Sequence, residues 1–422
     1  MQANVEDLDD HFDHLSLNTS VHSSPLSSPP SSPLSSPLLS PRPDNVNQQS
    51  SSAGSFTFRL DPFGKAMQEW LLTERLTPFN FSPAPSKAQP IVVEWDTQSR
   101  ASQSSGYIGK NYVKGPGKVW RLEDMVGPDS LFKFQLIQWD GKASIPLVDI
   151  NGKIIAVLVG NPPDDPTWQS VHTDAALLLE KHRHSAILPH ENISRRGVQK
   201  YISTGYSFGG GQKLPMPMNQ QPKNKQIIDN LLASECFQRI SGHVSSAFST
   251  WAPRLHQQYV DMLSKYQAED PLFSKNFPKT AFAAATFNFD EQTETMEHVD
   301  YFNYIVGWCG ITSLGRFNHT KGGHVILWDL RIVIEFPAGT SFLMPSCYLR
   351  HSNTSIAPGE TRQSFTEYSA GGLFRYMDDG MKTRVSMSID ERERKKREAW
   401  EKAREAIGIY STFNELVDNL MF

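Results

Sequence analysis

Cysteine is nearly missing from this sequence. Only three occur among 422 residues: Cys236, Cys309 and Cys347. None shares a CxxC spacing, which argues against a structural zinc module, and so sparse and odd a count argues against a disulfide framework. No uninterrupted apolar run reaches the ~18 residues that a membrane-spanning helix needs. The opening "MQANVEDLDDHFDHLSL" is acidic and lacks the apolar centre of a secretory signal, so a soluble, intracellular protein is expected, with no membrane partner. Basic excess is lacking as well. The formal net charge of −4 supplies no global pull toward nucleic acid and leaves only a local basic groove open. The glycine-rich "GYSFGGGQK" has no Gly-Lys-Ser/Thr for nucleotide phosphates and reads as a plain loop.

What the chain does have is aromatic bulk. It carries 24 Phe and 9 Trp in a 38% hydrophobic composition, enough for a sizeable core once a polar arm is set aside. That arm, residues 1–55, repeats Ser-Pro at Ser24, Ser28, Ser32, Ser36 and Ser40. Proline removes donors and serine has nothing to bury, so the arm is expected to be disordered. It reads as a solvated tether, and its regular Ser-Pro pairs also suit proline-directed kinases.

Helical apolar spacing is expected in the latter half of "FTFRLDPFGKAMQEWLLTERL". A hairpin with a type I′ turn is expected at Asn151-Gly152 in "IPLVDINGKIIAVLVGNP". A helix entered through Asp165-Pro166 should follow. Helical spacing then runs through Ile228, Leu231, Leu232, Ile240, Val244 and Phe248, with a break at Pro253 and a second helix after it. From about residue 280 the texture turns to short β-rich runs punctuated by Gly, Pro and Asn, which suggests a barrel or sandwich. The tail "DERERKKREAWEKAREAIG" predicts a helix whose mixed charges suit solvent or a partner better than nucleic acid.

The chemistry concentrates in "TMEHVDYFN". In extended backbone His298 and Asp300 project from one face, because side chains alternate with period two. His351, after the β-rich "TSFLMPS", is the best third ligand. Two imidazoles and a carboxylate on one face of an octahedron leave three positions free, the ligand set of non-haem Fe(II). Enzymes of this kind commonly use 2-oxoglutarate with dioxygen. Arg362 in "GETRQSFTEYSAGG" offers a planar fork for its distal carboxylate, and Ser364 points the same way. Taken singly, His298–Asp300 fits an ordinary polar pair and His351 a hydrogen-bonded core residue; the ordered set with Arg362 points to a metal. A second HxD, His172 and Asp174, falls in a predicted helix, where residues two apart point about 200° apart and cannot share a metal. His172 is expected on that helix's surface, and His182, His184 and His190 as solvated residues.

Several runs carry a family resemblance: "FAAATFNF", "HVDYFN", "GWCGITSLG", "KGGHVILWDLRIVIEFPAGTSFLMPS", "LRHSN" and "GETRQSFTEYSAGGLFRY". Over about residues 200–380 the chain resembles the Tet/JBP family of Fe(II)- and 2-oxoglutarate-dependent base dioxygenases, most of all its basidiomycete fungal branch. The resemblance implies an α+β chain whose catalytic core is a double-stranded β-helix, or jelly roll, with flanking helices. It implies His298, Asp300 and His351 as iron ligands, Arg362 as the anchor of 2-oxoglutarate, and Asn303 beside the target base. The implied reaction is oxidation of 5-methylcytosine in DNA to 5-hydroxymethylcytosine and further, in the nucleus or nucleocytoplasm.

The expected organisation is the arm at 1–55, an α/β region at 56–199 packing on the core, the dioxygenase domain at 200–385 and a charged helix at 386–422. Two departures stand out. The animal members have His where this chain has Phe302, and they carry a cysteine-rich zinc region that three cysteines cannot build. Duplex binding is therefore expected from other surfaces, such as loops within 60–200. Phe302 or Trp308 is a candidate to stack on the base. The alternatives are an oxygenase of the same fold acting on a protein or small molecule, or a catalytically silent binding module derived from a mobile element.

Overall fold

The computed structural model describes residues 85–100, 106–112, 117–187, 193–194, 197–198 and 200–418. The Ser/Pro arm with its kinase-site reading, the helix expected before residue 77 and His190 lie outside these residues.

The described strands are, in chain order, β1 (Ile91–Val92), β2 (Gln135–Ile137), β3 (Ile145–Val148), β4 (Ile154–Val159), β5 (Ile193–Ser194), β6 (Gly197–Val198), β7 (Tyr201–Ser207) and β8 (Met216–Pro217). They continue with β9 (Ala284–Asn288), β10 (Cys309–Arg316), β11 (Val325–Leu327), β12 (Ile332–Ile334), β13 (Ser341–Met344), β14 (His351–Asn353) and β15 (Thr361–Tyr368). The helices are α1 (Leu122–Met125), α2 (Trp168–Arg183), α3 (Pro222–Ala233), α4 (Glu235–Trp251), α5 (Pro253–Glu269), α6 (Gly371–Asp378), α7 (Ile389–Glu405) and α8 (Phe413–Asp418). None is long and apolar enough to cross a membrane.

A nine-stranded sheet runs β1-β3-β4-β13-β10-β15-β9-β7-β8, and a four-stranded sheet runs β14-β11-β12-β2. From residue 284 onward the chain alternates between them. β9 lies in the large sheet, β10 returns to it, β11 and β12 lie in the small one, β13 is back in the large, β14 in the small and β15 in the large. Between β9 and β10, His298 forms a single antiparallel bridge to His351, adding one rung to the free edge of β14. Strands from before residue 200 extend both sheets: β4 pairs with β13, and β2 with β12.

The hairpin expected around Asn151-Gly152 is present, since β3 and β4 pair antiparallel, but its turn is not type I′. That turn needs positive φ at both central residues, and only Gly152 has it (φ 74°). The buried Asp149 carboxylate reshapes the loop by accepting from the backbone N–H of Asn151 (2.8 Å) and Lys153 (2.9 Å). The long helical run after residue 225 also breaks earlier than its apolar spacing suggests. Ser234 adopts extended backbone (ψ 135°) and separates α3 from α4. His172 is not on the helix surface: it is buried at 6% exposure, its ring filling the space that a side chain at Gly339 would occupy. His182 is buried too, whereas His184 is solvated. In α7, Ala399 and Ala403 are buried, while Lys395 and Lys402 reach Asp378 at the end of α6.

Period-two alternation gives β15 two different faces. Phe365 and Glu367 point toward α4, where Phe237 packs edge-on against Phe287 and tilted against Phe365, with centroids 5.0 and 5.1 Å apart. Arg362, Ser364, Thr366 and Tyr368 take the opposite face and line a cavity between the sheets. On the helix side Glu367 is 1% exposed, and its Oε1 accepts hydrogen bonds from Ser241 (2.8 Å) and Thr280 (2.7 Å).

Burial pushes the Glu367 carboxyl up to about 7, with the two hydroxyl bonds opposing. A folded pKa above the unfolded one means that the native state holds its proton longer. Glu367 therefore costs stability progressively as pH rises from the ordinary carboxylate range through about 7. Glu367→Gln, which stays neutral, should gain stability relative to the parent across that window and not below it. Chemical denaturation from pH 4 to 8 measures this, and parallel stability profiles would show that the carboxyl does not ionise late.

Candidate metal centre

His298 is placed by its bridge to His351, through His298 N–H to His351 O (3.0 Å) and His351 N–H to His298 O (2.9 Å). Directly opposed residues put their side chains on the same side of the ladder. The two imidazoles accordingly sit with centroids 4.2 Å apart. No full strand forms at 294–300. One rung suffices because the chain leaves at Asp300, whose N–H is held by Ser346 O (2.8 Å). Asp300 Oδ1 then lies 3.7 Å from His298 Nε2, and Oδ2 lies 3.9 Å from His351 Nε2. One ligand atom from each residue falls within 4.8 Å of the others.

The tautomers follow from the partners. His298 Nδ1 lies 2.7 Å from Met296 O, and His351 Nδ1 lies 2.9 Å from Leu349 O. A carbonyl only accepts, so each Nδ1 carries a hydrogen, which in a neutral imidazole leaves the lone pair on Nε2. Both Nε2 atoms sit beside the Asp300 carboxylate, in the arrangement that metal-ligating histidines use. The donor set of two neutral imidazole nitrogens and one carboxylate oxygen suits a divalent first-row ion and leaves coordination positions open.

An ion-pair bridge backs the two histidines. Arg350, which precedes His351, donates from Nη1 to Glu297 Oε1 (2.8 Å), the residue before His298. Its Nε donates to Asp329 Oδ1 and its backbone N–H to Asp329 Oδ2, both at 2.7 Å. The Glu297 side chain is 5% exposed and that of Arg350 33%. One guanidinium thus ties together three chain segments, two of which carry metal-ligand candidates. Motif spacing gave no sign of this pairing.

The cavity in front of the triad has a volume of about 620 Å³. Arg362 lines the same cavity and is 4% exposed. Gly323 leaves room for it, since a Cβ there would lie 3.0 Å from Arg362 Cδ. Nη1 of Arg362 donates to Thr293 O (2.8 Å), while its Nε is buried without a partner among the described residues. Burial pulls its pKa down to about 10, with nearby Glu294 opposing, so it remains a cation at neutral pH. A buried guanidinium with an unfilled donor is costly by itself and is suited to an incoming anion. Ser364 lines the same cavity and accepts a hydrogen bond from Asn288 Nδ2 (2.9 Å).

Asn303 lines the cavity as well, its Nδ2 donating to Ser346 Oγ (2.9 Å). Of the two aromatics singled out, Phe302 lines the cavity. Trp308 does not: it is 1% exposed and stacks on Phe248 in the core, with centroids 5.7 Å apart. Asn111, Tyr112, Lys118 and Trp120 line the cavity as well. His172 and Asp174 belong to neither site nor cavity, Asp174 being exposed on α2.

No family model matches the chain, and no curated protein matches it either. Solved structures with weak likeness include NgTET1 in complex with 5mC DNA, at 12% identity and TM-score 0.41, covering 57% of this chain and 84% of that one. A 2OG-Fe(II) oxygenase family oxidoreductase from Burkholderia pseudomallei has 18% identity and TM-score 0.25, over 45% of this chain and 76% of its own. OsALKBH1 has 12% identity and TM-score 0.29, over 47% and 93% respectively. Scores at this level decide neither fold nor activity, which rest on the strand order and on the site itself.

Arg350→Met should weaken binding of a divalent ion by about tenfold or more, because outer partners hold the ligands in place. Anaerobic calorimetry with Fe(II), alongside thermal denaturation, separates this from a general loss of stability. A folded variant with parental metal affinity would show that the ion-pair bridge does not position the histidines.

Proposed function

We propose that this chain is an Fe(II)- and 2-oxoglutarate-dependent dioxygenase that oxidises the methyl group of 5-methylcytosine in DNA. One observation carries the reading. Two oriented imidazoles and a carboxylate converge in a cavity that is also lined by a buried arginine with an unfilled donor. The alternation of successive strands between two sheets supports a double-stranded β-helix as the scaffold, and the Tet/JBP resemblance of the motifs supports the substrate class.

His298, Asp300 and His351 hold the iron in this reading. When bound, the metal supplies dioxygen activation, through which 2-oxoglutarate becomes succinate and CO2 while the second oxygen atom enters the substrate C–H bond. The protein's task is placement and exclusion of water. Arg362 takes the distal carboxylate through paired N–H donors, and Ser364 borders the same carboxylate. Fixing that end fixes the keto acid's reach toward the triad along β15.

A cavity of about 620 Å³ admits a base and not a duplex, so the target nucleotide leaves the stack at a cost of a few kcal/mol. Asn303, its Nδ2 engaged by Ser346, keeps Oδ1 as an acceptor for an exocyclic amine. Phe302, at the position occupied by His in animal members of the family, contributes an apolar face where they contribute a polar one. With a DNA substrate, the expected location is the nucleus or nucleocytoplasm.

The decisive experiment incubates the protein with Fe(II), 2-oxoglutarate, oxygen and 5-methylcytosine DNA, with His351→Ala as control and nucleosides read by mass spectrometry. Hydroxymethyl or further oxidised cytosine, absent from the control, is expected. Succinate without modified base would leave an oxygenase of another substrate, and neither product from folded, iron-loaded protein would leave a silent module. Arg362→Lys should retain metal affinity and raise the dissociation constant of 2-oxoglutarate about 10- to 100-fold, since an ammonium loses the paired charged hydrogen bonds. Parental cosubstrate affinity in that variant would remove Arg362 from the role.

A further inference from the structure

The cavity has a polar wall that the metal and cosubstrate roles leave unassigned. β15 runs along it as a ruler. Its first residues are tied to the anion end, through Thr293 N–H to Arg362 O (2.8 Å) and Arg362 Nη1–H to Thr293 O (2.8 Å). The chain just beyond its last residue is tied to the segment after Asp300, through Tyr304 N–H to Ser369 O (3.0 Å) and Gly371 N–H to Phe302 O (2.8 Å). At about 3.3 Å per residue, Tyr368 stands roughly 20 Å along the strand from Arg362. Travelling along the cavity face of β15 therefore leads from the arginine toward Phe302 and Asn303.

Two neighbouring strands complete the wall. Thr366 of β15 is in register with Thr286 of β9, which is in register with Ser203 of β7. Ser203 Oγ and Thr286 Oγ1 share a hydrogen bond of 2.7 Å, and Thr286 Oγ1 lies 3.4 Å from Tyr368 Oη. All three side chains line the cavity, as does Phe302. The backbone ladders hold these strands whatever their side chains, so the connected hydroxyls are not needed for pairing. Each hydroxyl both donates and accepts. A row of three suits a ligand edge that alternates donors and acceptors, and an aliphatic ligand would strip their water and return nothing.

We propose that Ser203, Thr286 and Tyr368 form the specificity-determining wall of the substrate subsite, hydrogen-bonding the polar edge of a nucleobase while Phe302 supplies an aromatic surface. This rests on the reading that the substrate is a methylated base, and it adds the residues that choose among bases. 5-Methylcytosine and thymine carry the same methyl group and differ in the edge that such a wall would read. Discrimination between them reports on the wall, independently of how well the metal works.

The test compares Ser203→Ala, Thr286→Val and Tyr368→Phe with the parent on oligonucleotides carrying a single 5-methylcytosine or a thymine at the same place. Each variant should raise KM for the methylcytosine substrate about tenfold and shrink the ratio of kcat/KM between the two bases. Succinate released per oxidised base should rise, and calorimetric affinity for Fe(II) and 2-oxoglutarate should stay at the parental value. A purely structural role would lower both substrates equally, and that result, or an unchanged ratio, overturns the wall while leaving the base-oxidation reading intact. A parent protein that oxidises neither base overturns the reading itself and this inference with it.

Discussion

The pair of backbone hydrogen bonds between His298 and His351 is the constraint on which the site depends. A single antiparallel rung brings residues distant in sequence into direct opposition and turns their side chains to one side. Asp300 then needs only to follow two residues on, held by Ser346 O, for its carboxylate to meet both Nε2 atoms. The carbonyls of Met296 and Leu349, each two residues before its histidine, set the tautomers. The orientation of both ligands is thus built from local backbone, and the Arg350 ion pairs brace it from the flanking residues.

The large sheet solves a different problem, which is to hold a polar cavity against an apolar helix layer. β15 does so by alternation. Phe365 closes an aromatic cluster with Phe237 and Phe287, while its cavity-facing neighbours Ser364 and Thr366 stay polar. The cost falls on buried charge. Arg362 and Glu367 lie on opposite faces of the same strand, both almost without exposure, and burial shifts both toward their neutral forms. Glu367 accepts two hydroxyl hydrogen bonds at Oε1 and keeps Oε2 unfilled, and Arg362 donates to Thr293 O and keeps Nε unfilled. Facing is what separates them: Arg362 lines the cavity, where an anion can meet it, and Glu367 is turned to the helix side.

Much of the half that carries the candidate metal centre was legible in the residues. The β-rich runs after residue 280 became β9 to β13 and β15, because alternating or short apolar runs between Gly, Pro and Asn have few other solutions. The HxD, the later His and the following Arg fell together as their order suggested. Other features were not legible. The type I′ turn at Asn151-Gly152 gave way to a loop organised by the Asp149 carboxylate, a side-chain effect that a dipeptide rule does not contain. His172 was expected on a surface and is buried, because the glycine that makes room for it, Gly339, lies far along the chain. The start of "GYSFGGGQK" was expected in a loop, yet Gly205–Ser207 end β7, whose alternating burial becomes visible only once β9 pairs with it.

By itself, then, the sequence determined the types of chemistry available and the local elements that carry them, since periodicity and donor type are properties of short stretches. Only the tertiary structure decided which residues share a space. It joined His298 to His351 by one rung, set Glu297 and Asp329 on Arg350, and brought β7, β9 and β15 into register so that Ser203, Thr286 and Tyr368 meet. The reason is physical. Register and facing depend on pairings between segments far apart in the chain, and no short stretch contains the partner that fixes them.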